Sequence, residues 1–230
     1  MDKHSQKNGI IEGTIWKQLL IFFFPILVGT FFQQLYNTVD AVIVGQFAGK
    51  EALSSVGGSS SQIINFVVGF FTGLSAGATV IISQFYGAND ANKIHRALHT
   101  AYAFSIVGGI IAGIIGIALT VPVMKLMNTP EELMHDSAMY VMIYFGGLVF
   151  IFVYNMGSAI LRAIGDSKRP LYYLIICCFI NIVLDIVFVS VLKLGVLGVA
   201  VATFISQLVS AVLVTRALMY HTEGMKLVLK

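Results

Sequence analysis

From Leu19 to Val39 the chain runs for 21 residues without a charged side chain, and the run ends at Asp40. A helix needs about 20 apolar residues to cross the hydrocarbon of a bilayer. In lipid a helix also satisfies its own backbone groups, which an isolated strand cannot do. Several runs of this kind recur along the 230 residues, of which 57% are hydrophobic and only 11% charged. Soluble domains carry about 25% charge. The first run is no cleavable leader: it is too long, it contains Gln33, Gln34 and Asn37, and no small-residue cleavage site closes it. Alternating strand patterns are absent, which argues against a barrel. The sequence therefore predicts an all-α polytopic membrane protein, a bundle of six transmembrane helices.

The predicted spans cover about 16–47, 61–85, 98–124, 137–164, 170–192 and 195–219, within a single membrane domain, 1–230. No soluble domain, low-complexity linker or internal repeat interrupts them. Six spans put both termini on one side. That side holds 11 of the 14 lysines and arginines, including Lys93, Arg96, Arg162, Lys168 and Arg169. The positive-inside rule makes it cytoplasmic, and the expected location is the plasma membrane, the inner membrane of a bacterium. After span two, "GANDANKIHRALHT" reads as a turn followed by a short interfacial helix. After span three, "MNTPEELMHDS" reads as a short helix capped by Thr129, with Pro130 at its first position.

Two acids, Asp40 and Asp185, fall well inside spans, where an ionisable group points by default to function. Spans five and six turn near Leu194. Asp185 lies nine residues before that turn and Thr203 nine after, while Asp40 lies nine before Gly49. At 1.5 Å per residue all three sit roughly 13 Å below the outer end. Asn181 is one turn from Asp185 on the same face, and Gln33, Asn37 and Asp40 form a second stripe. Two carboxylates in low dielectric cannot both stay ionised without a large penalty, so the set suits a shared proton or Na⁺. Hydrogen bonding between helices is the plainer role for Asn37, Thr38, Gln33 and Gln34. Asn155 either lines the same cavity lower down or bridges helices. Pro25, roughly 22 Å deeper than Asp40, is a candidate hinge, since proline removes a helical hydrogen bond.

Other features carry less. "GGIIAGIIG" contains Gly109 and Gly113 at close-packing spacing rather than a phosphate loop. Adjacent Cys177 and Cys178 read as packing residues. The five histidines show no metal spacing. Tyrosines and phenylalanines look scattered, facing lipid or packing. Basic residues trace one membrane face, which gives no reason to expect nucleic-acid binding.

The stretches "FPILVGTFFQQLYNTVDAVIVGQFAG", "ISQFYGANDANKIHRAL", "ILRAIGDSKRP" and "NIVLDIVFV" together resemble the multidrug and toxic compound extrusion (MATE) family, in its bacterial DinF-like branch. The resemblance covers essentially the whole chain. It implies a secondary active transporter rather than an enzyme. It also implies that Asp40 is the proton- or Na⁺-linked carboxylate, that Asn181, Asp185 and Thr203 are its partners, and that span one bends at Pro25. The family has twelve spans in two lobes with the substrate path between them. Six spans then correspond to the amino-terminal lobe, with a carboxy-terminal lobe or a second copy of the chain as partner.

The expected function is cation-coupled antiport, exporting an organic cation in exchange for H⁺ or Na⁺. No cofactor beyond the coupling ion is expected, and membrane lipid is the surrounding partner. Gln33, Gln34, Asn37 and Asn155 are the candidate cavity residues. A lipid-linked precursor flippase would share the topology but needs a basic cavity for pyrophosphate, and the deep charges here are acids. An intramembrane aspartyl protease is disfavoured because "TVD" and "VLD" replace its local patterns. A non-transporting half-length fragment is the third alternative.

Overall fold

The computed structural model describes residues 15–220 and Leu227. Among them every regular element is helical. Helix α1, Ile15–Ile43, ends in a π-helical turn, Val44–Ala48. It is followed by α2, Lys50–Gly57, α3, Ser59–Gly87, and α4, Ala91–Leu126. Next come α5, Glu131–Gly146, α6, Leu148–Ala163, and α7, Lys168–Asp185. A second π-helical turn, Ile186–Val191, leads to α8, Gly195–Tyr220. Five segments are long and apolar enough to cross a membrane. Helices α5 and α6, bent by 48° at Gly147, make a sixth when taken as one broken span.

Local chemistry sets the boundaries. Asp90 caps α4 by accepting from the Lys93 backbone N–H at 3.0 Å. The same carboxyl pairs with the Lys93 ammonium at 2.9 Å, and this hydrogen-bonded contact holds it below the usual carboxylate range. Between α6 and α7 the chain turns within four residues. Gly165 takes a φ of +91°, a left-handed value glycine adopts without strain, and Asp166 accepts from the Arg169 N–H at 3.1 Å. Pro170 lies in the first turn of α7, where its missing N–H is harmless.

Two local expectations are corrected. No separate interfacial helix follows span two: the segment after Asp90 is the start of α4, continuous through Leu126. Nothing in "ANKIHRALHT" breaks helical hydrogen bonding, and the Asp90 cap launches one uninterrupted helix. Thr129 does not cap α5 either. Pro130 occupies the cap position with ψ 141°, and the Thr129 hydroxyl donates instead to Ser59 Oγ at 3.0 Å, tying the α4–α5 turn to α3. The α5 helix then runs on into the membrane as the first half of a bent span rather than ending outside it.

Helix α6 is the centre of the bundle and packs against α3, α4 and α8. Leu148, Phe152, Ile160 and Leu161 on it are fully buried. Glycines let α4 approach this centre closely. A Cβ at Gly109 would stand 2.7 Å from the Val149 Cα, and one at Gly113 would stand 2.7 Å from the Phe145 carbonyl oxygen. Helix α1 lies at the edge, packed mainly on α7. It is helical straight through Pro25, which is buried.

Candidate functional site

The ends of α1 and α7 bring the two membrane acids together. Asp40 lies in the last turn of α1 and Asp185 is the last residue of α7, each just ahead of a π-helical turn. These turns are real changes of hydrogen bonding: Gly49 N–H donates to Val44 O at 3.2 Å and Leu192 N–H to Val187 O at 2.9 Å, both five residues back. The turns also pack against each other. A π turn rotates the following side chains relative to an α-helix, and such turns recur at functional sites.

Asp40 is 8% exposed, and Asn181 and Asp185 are 0% exposed. The two carboxyl groups are within hydrogen-bond reach of each other. Between them stands the Asn181 amide. Its orientation is assigned from the surrounding network. With the nitrogen turned toward the acids, Asn181 donates to Asp40 Oδ1 at 2.8 Å and to Asp185 Oδ2 at 3.2 Å. Asp185 Oδ1, in contrast, is buried with no hydrogen-bond partner among the described residues. Leaving such an oxygen unsatisfied costs about 1–3 kcal/mol, and more when it is charged. Chemically, two buried carboxyls with one amide between them and one unpartnered oxygen form a set that a proton or a monovalent cation could satisfy.

Thr203, 3% exposed, joins through a tyrosine: the Tyr36 hydroxyl donates to Thr203 Oγ1 at 3.3 Å and also reaches Asp40. Each hydroxyl carries one proton, so the two can rotate together to present a donor to Asp40. Tyr36 lies one helical turn before Asp40, which puts both on one face of α1.

Asp40 also forms part of the wall of a cavity of about 280 Å³. Asn181, Asp185 and Thr203 are not among the lining residues and form a second layer behind it. Helix α1 contributes Gln33, Tyr36 and Asn37 to the lining; α3 contributes Ser61 and Asn65; α5 contributes Tyr140 and Tyr144; α8 contributes Gln207. Among the described residues that line the wall, Asp40 is the only charged one. Gln34 and Asn155 are not in it. Gln34 instead accepts from Asn37 Nδ2 at 3.4 Å and, through its carbonyl, from Thr38 at 2.8 Å. Asn155 sits half-buried on α6.

Tyr36, Tyr140, Tyr144, Asn65 and Gln207 were not singled out from the sequence, and the three tyrosines correct the reading of that residue type as scattered. A signal was present. Tyr36–Asp40, Ser61–Asn65, Tyr140–Tyr144 and Thr203–Gln207 are all polar pairs spaced i, i+4, each stacking two polar groups on one helix face. An aromatic ring beside a carboxylate is a natural receptor for a cation.

A sequence profile of the MatE family matches residues 25–187. The chain belongs to the MatE family. Two relatives from Bacillus subtilis (strain 168) lie close to it. One is the probable multidrug resistance protein YoeA, 32% identical over 86% of this chain and 43% of its own length. The other is the probable multidrug resistance protein YpnP, 33% identical over 85% of this chain and 44% of its own. Among solved structures, a multidrug resistance MATE family transporter in an outward-facing conformation superposes with a TM-score of 0.90 at 24% identity. It covers 99% of this chain and 50% of that one, a likeness of fold. MatE proteins are transporters, and this one is a multi-pass membrane protein with the extent of one lobe. The chain spans about half the length of the curated relatives it matches.

Proposed function

We propose that this MatE lobe carries the ion-coupling site of a drug exporter, which exchanges an organic cation for H⁺ or Na⁺. The observation behind the reading is the cluster Asp40–Asn181–Asp185: two buried acids share one amide, and one of the acids forms part of a cavity wall. With both acids charged, a cation in the cavity is held by Asp40 and by the rings of Tyr36, Tyr140 and Tyr144. When a proton or Na⁺ enters the cluster, that charge is cancelled and the organic cation leaves. The two ligands compete for one charge, so their coupling is reciprocal.

Asn181 serves each ion in a different orientation. As a donor it bridges the acids. Turned over, its carbonyl oxygen joins the two carboxylates and Thr203 as a hard-oxygen ligand suited to Na⁺. The cavity wall, whose only charge among the described residues is negative, argues against a lipid-pyrophosphate flippase. Pro25 is the proposed hinge of α1. The proposed orientation has both termini cytoplasmic, and the proposed partner is a second lobe or a second copy, since a lobe alone has nothing to rock against. The test is Asp40→Asn in the assembled transporter. Ion-dependent dye efflux should disappear while the protein still reaches the membrane, whereas unchanged efflux would remove Asp40 from the mechanism.

A further inference from the structure

Helices α3 and α4 both pack on α6 and leave a lengthwise seam between them. The seam opens as two grooves of nearly equal size, about 650 Å³ at one end and about 610 Å³ at the other. Both are lined almost wholly by apolar side chains, yet they differ in charge. The groove near the start of α4 has Lys93 and Arg96 in its wall, whereas the other has no charged residue there. Lys125, in the last turn of α4, is outside the lining of the second groove.

The cations stand at a particular depth. Residues 97–124 of α4 carry no Asp, Glu, Lys or Arg, so Lys93 and Arg96 flank the hydrocarbon at headgroup level. From Lys93 to Phe104, at the other end of this groove, is about 17 Å along the helix, close to the thickness of one leaflet, about 15 Å. Gly77, Ala97 and Ala101 keep the walls low, and the buried side chain of Met156 forms the floor. Lys93 is shared between Asp90 and the face of the Phe85 ring, 5.8 Å from its centroid. Arg96 is exposed and makes no ion pair among the described residues.

We propose that this groove binds an anionic phospholipid, with the phosphate on Arg96 and Lys93 and one acyl chain lying along the seam to Phe104. Guanidinium is well matched to a phosphate, which it can grip with two N–H groups. The apolar groove alone fits any lipid chain; the two cations at its mouth select the headgroup. The uncharged groove at the far end of the same seam is the built-in comparison.

The test is native mass spectrometry of the chain, released from nanodiscs holding phosphatidylglycerol and phosphatidylethanolamine in equal amounts. The wild type should retain phosphatidylglycerol in preference, and Lys93→Gln/Arg96→Gln should lose that preference by about tenfold. Gly77→Phe separates a groove from a merely charged surface. A Cβ at Gly77 meets nothing within 4 Å, so the ring can enter the groove without disturbing the bundle. It should lower lipid retention with both cations intact. Equal retention of the two lipids by the wild type would overturn the proposal, and so would a Gly77→Phe chain that retains as much phosphatidylglycerol as the wild type.

Discussion

Asn181 decides how two acids share one buried space. Its amide faces Asp40 and Asp185 at hydrogen-bond distance and serves both. Asn181→Leu keeps the approximate volume and removes the shared donor. The expected result at alkaline pH is a loss of about 2 kcal/mol in thermal unfolding in detergent. The loss should shrink in acid, where protonation of either carboxyl supplies a donor inside the pair. A variant as stable as wild type at both pH values would mean that the acids do not depend on the amide. The residues of this cluster could be brought to one level from sequence because helix rise is constant, so counting from a turn yields depth. The tyrosines escaped the same arithmetic. Depth does not say which face of a helix looks into a cavity, and tyrosine is common in membrane helices for other reasons.

Among the elements, the close crossing of α4 over the α5–α6 break is the most demanding. Gly109 and Gly113 touch backbone there, while Gly69, Gly73 and Gly77 of α3 face open space. The two glycine sets look alike in sequence and differ in consequence. Gly109→Leu should destabilise by about 1–3 kcal/mol through overpacking. Gly73→Ala should be neutral or slightly stabilising, because alanine is the better helix former. Melting temperatures of the two variants check both at once, and equal shifts would contradict the assigned packing. That the chain is built of long apolar helices followed from uncharged length. The break at Gly147 and the two π turns did not, since each depends on tertiary packing: a Cβ at Gly147 would come 3.0 Å from Phe204, and one at Gly198 would come 3.1 Å from the Phe188 backbone. The continuity of α4 was also missed, because a polar first turn looks the same whether a helix continues into the membrane or stops at its surface.

For the whole molecule, the bundle places a polar cavity against a two-layer acid site and leaves much of its apolar surface exposed. Phe24, Phe31, Phe66 and Phe70 are all more than half exposed, as suits a surface that meets lipid or a second lobe. Under the proposed exchange, organic cation and coupling ion meet at Asp40 whatever completes the opposite wall. The direct measurement is binding of the lipophilic cation tetraphenylphosphonium to the purified chain, titrated against pH and against Na⁺. Binding should weaken by about tenfold either on acidification or on addition of Na⁺, and Asp40→Asn should bind weakly with no dependence on either. Wild-type binding that is indifferent to both ions, or an Asp40→Asn chain that keeps the wild-type dependence, would contradict a coupling site built on Asp40 and Asp185.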